Sequence, residues 1–234
     1  MTISISSVNE IASLSSPREV QAVCLSGSPS SVDATSLTHT TVGDMDNNVW
    51  ILSRGGQALL IDAATDAPHL LELIDQLGVT VTDVLTTHRH HDHVQALQEV
   101  LEATGARHHA GRKDAEALPA SVDEVYGNDE GTPEPLRLAG DQLADLGLEA
   151  VELRGHTPGG IAVLGLGRAF VGDSVFPGGV GKTNSSEDFA QLLDDVESRI
   201  FSLPGETVIH PGHGDSTTVA EEKPKVDEWR QRGW

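Results

Sequence analysis

Cysteine is almost missing from this sequence: Cys24 is the only one. No intramolecular disulfide and no cysteine-rich zinc motif can therefore be built. Aromatic side chains are scarce too, at 3% with a single tyrosine, so a core must come from Val, Leu, Ile and Ala. Cations are outnumbered, 15 Lys and Arg against 36 Asp and Glu, for a formal net charge of -21. Such a surface repels a phosphate backbone and an anionic bilayer alike, which argues against nucleic acid or a membrane as partner. No apolar run approaches the ~18 residues of a membrane span. Residues 1–16 also lack a basic segment followed by an apolar stretch. The expectation is a soluble, cytoplasmic protein. Cys24, alone in a Ser-rich region, reads as incidental.

What is present is a chain of 234 residues, long enough to bury a sizeable core. Residues 1–35 are expected to be a partly flexible N-terminal extension holding one short strand at 20–25 and a loop at 26–31. Residues 36–234 are expected to form a single domain. Alternating and β-branched runs predict strands at 37–42, 48–53 and 58–62. A helix at 67–77 is closed by Gly78; a strand ending at Thr87 and a helix after His93 follow. Further strands are expected at 107–110, 142–146, 148–154, 160–166, 169–172 and 207–210. Ser185 and Asp188 mark the capped start of a helix running to about 201, and a short helix spans 225–232. Residues 121–135, acidic with Gly and Pro and holding Tyr126, read as a surface loop. Strand-rich blocks in both halves predict two packed sheets with helices outside.

The chemistry is concentrated in Thr87-His88-Arg89-His90-His91-Asp92-His93. His88, His90, Asp92 and His93 put three imidazoles and one carboxylate on a strand-to-helix turn, where side chains converge on one point. A merely His-rich turn is a poor explanation of that spacing, and a metal site is the better one. The remaining donors each follow a predicted strand in a Gly-containing turn: His156, Asp173 and His213. Singly they are weak; with the first cluster they give five imidazoles and two carboxylates, enough for two metal ions.

These motifs resemble the metallo-β-lactamase superfamily over most of the chain, about 37–223. The resemblance implies a four-layer αββα sandwich, with the site at one sheet edge. It implies His88, His90 and His156 on a first metal, Asp92, His93 and His213 on a second, and Asp173 bridging them. Asp62 matches the acidic residue that supports the metal-binding loop. The run Gly172-Asp173-Ser174-Val175-Phe176-Pro177-Gly178-Gly179-Val180-Gly181-Lys182-Thr183 is similar to the hydroxyacylglutathione hydrolase (glyoxalase II) branch, as is Pro211-Gly212-His213-Gly214. By the same resemblance Asp173 argues against antibiotic hydrolysis, and Lys182 contacts the thiol part of the substrate. Gly181-Lys182-Thr183 is not a nucleotide-binding loop, because the first glycine of that motif would fall at Phe176. Asn184 stands where the glutathione enzymes carry an aromatic residue. With 21 residues after His213, the C-terminal helical domain of the longer enzymes is expected to be absent. Neither departure changes the activity class; both leave the thiol open.

The expected activity is cleavage of a small-molecule thioester, such as a 2-hydroxyacyl-thiol, by a hydroxide bridging two divalent ions. Asp92 and Asp173 are the carboxylates at the reaction centre. Zn²⁺ is favoured, with Fe or Mn²⁺ equally suited to imidazole and carboxylate ligands. The alternative is a persulfide dioxygenase of the same fold, holding one iron through His88, His156 and Asp173. A lactonase or other ester hydrolase ranks below both, and a metal-binding protein without turnover below those. His39, His69, His91, His108 and His109 have no partner that sequence can name and read as surface or structural. His210, three residues before His213, is a candidate for a place behind the ligands. Nothing in the pattern bears on oligomeric state.

Overall fold

The computed structural model describes residues 20–27, 34–128 and 130–233. The expected loop at 26–31 lies largely outside these. Seven strands form the first sheet in chain order: β1 (Val20–Ser26), β2 (Thr35–Val42), β3 (Asn47–Arg54), β4 (Gln57–Ile61), β5 (Thr80–Thr86), β6 (Arg107–Gly111) and β7 (Glu124–Tyr126). β1 to β4 run antiparallel and β4 to β7 parallel. The parallel crossovers need helices. α1 (Ala67–Leu77) supplies the first and α2 (Leu97–Thr104) the second. α1 begins at Asp66, whose carboxylate accepts from His69 N, and ends at Gly78 with φ 65°, the left-handed stop that glycine takes without strain.

The second half of the chain makes the second sheet. In chain order it carries β8 (Glu134–Pro135), β9 (Glu149–Glu152), β10 (Ile161–Gly165) and β11 (Arg168–Gly172). A small hairpin of β12 (Val175–Phe176) and β13 (Gly179–Val180) comes next, followed by β14 (Val208–Pro211) and β15 (Thr217–Thr218). The sheet order is β15-β14-β11-β10-β9-β8, with the hairpin standing apart. A one-turn helix, α3 (Asp141–Ala144), precedes β9, and α4 (Ser186–Asp195), α5 (Val219–Glu222) and α6 (Val226–Arg232) complete the chain.

Three apolar clusters define four layers. Leu70, Leu73, Val84, Leu97 and Val100 pack α1 and α2 onto the outer face of the first sheet. Leu192, Leu193, Ala169, Val171 and Trp229 pack α4 and α6 onto the outer face of the second. Leu52, Leu59, Leu85, Val163 and Phe170 fill the space between the sheets. This is the αββα sandwich: each strand alternates its side chains between an inner and an outer apolar layer.

Two local expectations are corrected. Residues 142–146 are not a strand; Gly140 and Asp141 open α3, of which only Leu143 is buried. Residues 121–135 are not simply a surface loop, since Glu124–Tyr126 is β7, parallel to β6, and Tyr126 is fully buried. Tyr126 belongs to a buried chain in which Arg137 N donates to its hydroxyl, its hydroxyl donates to His109 Nδ1 at 3.1 Å, and His109 Nε2 donates to Asp83 at 2.8 Å. Asp83 also accepts from Ala139 N and Gly140 N, so one carboxylate ties β5 and β6 to the segment entering α3. No helix among the described residues is long and apolar enough to cross a membrane.

Candidate metal centre

Every expected donor lies just past a strand end on one rim of the sandwich. β5 leads into His88, a single 3-10 turn spans His91–His93, and the segment after β9 carries His156. β11 leads into Asp173 and β14 into His213. The rim brings all seven together. Asp173 Oδ2 lies 3.6 Å from His156 Nε2, 3.6 Å from His213 Nε2 and 4.0 Å from His88 Nε2, while its Oδ1 is 3.4 Å from His93 Nε2. Asp92 Oδ2 is 3.1 Å from His213 Nε2 and 3.5 Å from His93 Nε2. His88, His90 and His156 converge as one group, and Asp92, His93 and His213 as another.

The outward nitrogens decide what these rings present inward. His93 Nδ1 donates to Asp62 Oδ2 at 2.9 Å, His156 Nδ1 to the Lys182 carbonyl at 2.6 Å, and His213 Nδ1 to the Met45 carbonyl at 2.9 Å. The Thr87 hydroxyl spends its proton on Asp62 Oδ2, so it accepts from His88 Nδ1 at 3.0 Å. These tautomers follow from the network. Each leaves Nε2 as a bare lone pair facing the centre. His88 Nε2, His156 Nε2 and Asp173 Oδ1 are buried with no hydrogen-bond partner, and the Nε2 atoms of His93 and His213 face each other at 3.2 Å. Lone pairs crowded together with two carboxylates call for cations, and imidazole with carboxylate is a divalent-metal donor set. The residues present fit a metal centre.

Electrostatics agree. Burial, then the neighbouring His93, His156, His90 and His213, hold His88 well below its ordinary value, so its lone pair stays available. Burial opposes a proton on His93, but Asp173 and Asp62 on either side outweigh it and push His93 up to about 10. The two carboxylates thus favour positive charge at His93 Nε2, as a proton when no ion is bound and as a cation on the bare lone pair when one is. For Asp173, burial raises and His93 more than offsets this, so the carboxylate stays ionised.

Asp62 lies behind the loop that carries His88. It sits at φ 60°, a left-handed conformation that Asp tolerates better than most residues. From there Oδ1 accepts from Thr87 N and Oδ2 from the Thr87 hydroxyl, both at 2.7 Å. Gly212 is required by closeness: a Cβ there would stand 2.3 Å from Asp173 Oδ1 and 2.6 Å from His93 Cε1. His210 is not brought into the centre. It lies between the sheets, stacked on Phe170 and tilted against Trp50. The Lys182 backbone holds His156, while its exposed side chain lines a separate cavity beside the site.

Sequence reading missed three supporting residues. Asn47 Nδ2 donates to Asp92 Oδ2 at 2.9 Å, and Asn48 Nδ2 grips the carbonyls of Pro211 and Gly214, on either side of His213. Buried Asp114 accepts from Arg89 N and Gly159 N, pinning the two loops that carry His88, His90 and His156. Their only signal was polar residues at strand ends, which is common. Among the leftover histidines, His39 pairs with Asn48, His69 with Thr40, and His108 with Thr86 and Ser121.

Comparison with known proteins places this geometry. The family described as "Metallo-beta-lactamase superfamily" matches residues 42–220. A hydroxyacylglutathione hydrolase from Fuscovulum blasticum is 37% identical over 178 residues, covering 72% of this chain and 62% of that protein. The chain thus spans about three fifths of such relatives. The hydroxyacylglutathione hydrolase GloC of Haemophilus influenzae is 31% identical over 185 residues, 71% of this chain and 84% of that one. Among solved structures, ETHE1 from Myxococcus xanthus superposes with a TM-score of 0.66 at 27% identity, over 82% of this chain and 84% of that one.

Proposed function

The chain belongs to the metallo-β-lactamase superfamily, and from that premise we propose that it is a metal-dependent hydrolase of small-molecule thioesters, of the hydroxyacyl-thiol kind. The observation that carries this reading is Asp173, whose carboxylate lies within 4.0 Å of imidazoles of both donor groups. A carboxylate so placed is suited to two cations at once. His88, His90 and His156 would hold one and Asp92, His93 and His213 the other. Divalent ions held this way lower the pKa of water from ~15.7 toward ~7 and polarise a carbonyl oxygen. Zn²⁺ is the proposed metal. The relatives named hydroxyacylglutathione hydrolase support the thioester class.

The chain's own residues do the rest. Asp173 stays ionised and keeps the two donor groups in register. Asp92 is oriented by Asn47 and is partly open to solvent, at 24% side-chain exposure. It would take the proton released in attack and return it to the leaving thiolate. Asp62 and Thr87 fix the rings from behind, a support worth about 10- to 100-fold in metal affinity or activity.

Replacing Asp173 by Ala tests the reading. Metal content by mass spectrometry is expected to fall from two ions per chain toward one or none, with thioester cleavage abolished. A variant with two metals and a normal rate sinks the assignment. One observation favours a second reading. The buried donors left without partners are His88, His156 and Asp173, a two-His, one-carboxylate set of the kind that holds mononuclear iron in oxygenases. Protein carrying one iron per chain, and consuming oxygen with a persulfide, would establish that reading in place of hydrolysis.

A further inference from the structure

Positive charge is scarce in this molecule and unevenly placed. Of 15 Lys and Arg, five stand on the flank of the metal centre formed by the first donor group. Arg89 separates His88 from His90 in the turn after β5, Arg112 and Lys113 follow β6, and Arg154 follows β9, two residues before His156. Arg199 belongs to a single π-helical turn (Val196–Ile200) that prolongs α4.

Three buried carboxylates join these side chains into one ridge. Asp114 Oδ1 lies 3.7 Å from Arg89 Nε. Lys113, the neighbour of Asp114 in the chain, brings its Nζ within 3.5 Å of Glu152 Oε1, and Arg154 Nε is 3.7 Å from Glu152 Oε2. Asp195 Oδ1 then meets Arg154 Nη2 at 2.7 Å and Arg199 Nη2 at 3.1 Å. Arg112 joins through Gly127. That carbonyl accepts from Arg112 Nε at 3.1 Å, and a Cβ on Gly127 would stand 3.1 Å from Glu152 Oε1.

The ridge is layered by charge. The side chains of Asp114, Glu152 and Asp195 are 1%, 3% and 4% exposed, whereas Arg89 is 38% and Lys113 48% exposed. The acids therefore lie underneath and the cations face solvent. Holding three buried carboxylates accounts for three cations; two are in excess, in a chain of net charge -21. Donors are also unspent. Contacts of 3.7 and 3.5 Å exceed the length of a good N–H···O bond, and neither the Arg89 nor the Lys113 side chain donates to a described residue. Elsewhere on the surface, Arg137 and Arg230 are bound to carboxylates at 2.6 and 2.9 Å.

We infer that this ridge, through Arg89, Arg112 and Lys113, binds phosphate on the carrier end of the substrate, so that the preferred thioester is one whose thiol bears phosphate groups. The inference rests on the thioester reading of the adjoining centre. A phosphate carries about -1.5 to -2 charge near pH 7 and three acceptor oxygens. It can engage donors from several of these side chains at once, where a carboxylate serves a single fork. The acidic remainder of the surface repels such a substrate everywhere else, which focuses it on the flank of His88, His90 and His156. Thioesters of thiols without phosphate gain nothing from the ridge.

The test uses metal-loaded protein and two lactoyl thioesters, one of coenzyme A and one of pantetheine, which share the thiol arm and differ in the phosphate-bearing nucleotide. The parent is expected to favour the coenzyme A ester in kcat/KM. Lys113→Gln should reduce that preference about threefold, and Arg89→Gln combined with Lys113→Gln about tenfold, both through KM. Arg107→Gln, which removes one charge at the far end of β6, should leave it unchanged. No preference in the parent, an equal loss on both esters, or an Arg107→Gln effect as large as that of Lys113→Gln overturns the inference. So does a loss in Lys113→Gln that is as large on lactoylglutathione, which assigns the ridge to carboxylates. Calorimetric binding of S-methyl-coenzyme A reads the ridge without turnover. Binding by the parent that weakens about tenfold in the double variant supports the inference even where neither ester is cleaved, an outcome that fails the thioester reading alone. No binding by the parent, or equal binding by parent and variants, overturns the inference.

Discussion

His210 shows how one buried ring can be held neutral. Arg168 Nη1 donates to its Nε2 and its Nδ1 donates to the Ser216 hydroxyl, both at 2.8 Å. Burial, then the Arg168 and His39 charges, push it down to about 3. An unfolded chain takes a proton on this residue near pH 6.5; the folded one refuses it until about pH 3. Between those values the unfolded state binds more protons, so stability falls as pH is lowered, by about 1.4 kcal/mol per unit at the steepest. Acidification from pH 7 to pH 5 should therefore cost about 2 kcal/mol through this residue. In His210→Gln that part of the pH dependence is expected to vanish, leaving a flatter plot of denaturation free energy between pH 7 and 5. Parallel plots for the two proteins would refute it.

At the scale of elements, His156 is placed by α4. Arg154, two residues earlier, grips Asp195 through Nε at 2.8 Å and Nη2 at 2.7 Å, and Arg154 N donates to the same carboxylate. Gly155 lies so close to the helix that a Cβ would stand 2.3 Å from the Asp188 carbonyl. Asp195 is nearly buried, so Asp195→Asn strands part of a guanidinium and should cost about 3 kcal/mol. Urea denaturation reads that loss; a midpoint unchanged from the parent would show that the grip does not hold the turn.

Legibility followed element length. α1 spans 67–77 as its periodicity predicts, and Ser185 caps α4 through Asp188 N as the spacing predicts. Residues 142–146 are too short for a period of two to be told from one of 3.6, and the structure makes a single helical turn of 141–144. β7 has three residues and exists through its pairing with β6, which no local pattern records. The donors were legible because His88, His90, Asp92 and His93 are packed into one turn. Asn47, Asn48 and Asp114 were not, since what marks them is proximity to loops far away in sequence.

At the scale of the whole molecule, the centre lies on a seam. β1 to β7 are drawn from residues 20–126 and β8 to β15 from 134–218. His88, His90, Asp92 and His93 belong to the first half, and His156, Asp173 and His213 to the second. On the proposed assignment, donors so divided would make bound metal a clamp between halves, and whatever binds only the folded state stabilises it by mass action. Removing metal by dialysis against a chelator should lower the melting temperature by about 10 °C, which corresponds to roughly 4 kcal/mol at a thousandfold excess over Kd. Scanning calorimetry of both forms measures it, and coincident transitions would rule out the clamp.

The same division sets an order of events in biosynthesis. Chains grow from the N-terminus at about 5–20 residues per second, and earlier segments begin to fold first. Asp173 and His213 are still untranslated when the last residue of the first sheet is added, so the nascent chain then owns four of the seven candidate donors. On the proposed assignment, a complete metal centre would form only after His213 is translated. Because imidazole and carboxylate accept several divalent ions, the ion that a finished molecule carries would then reflect the supply it meets when His213 closes the rim.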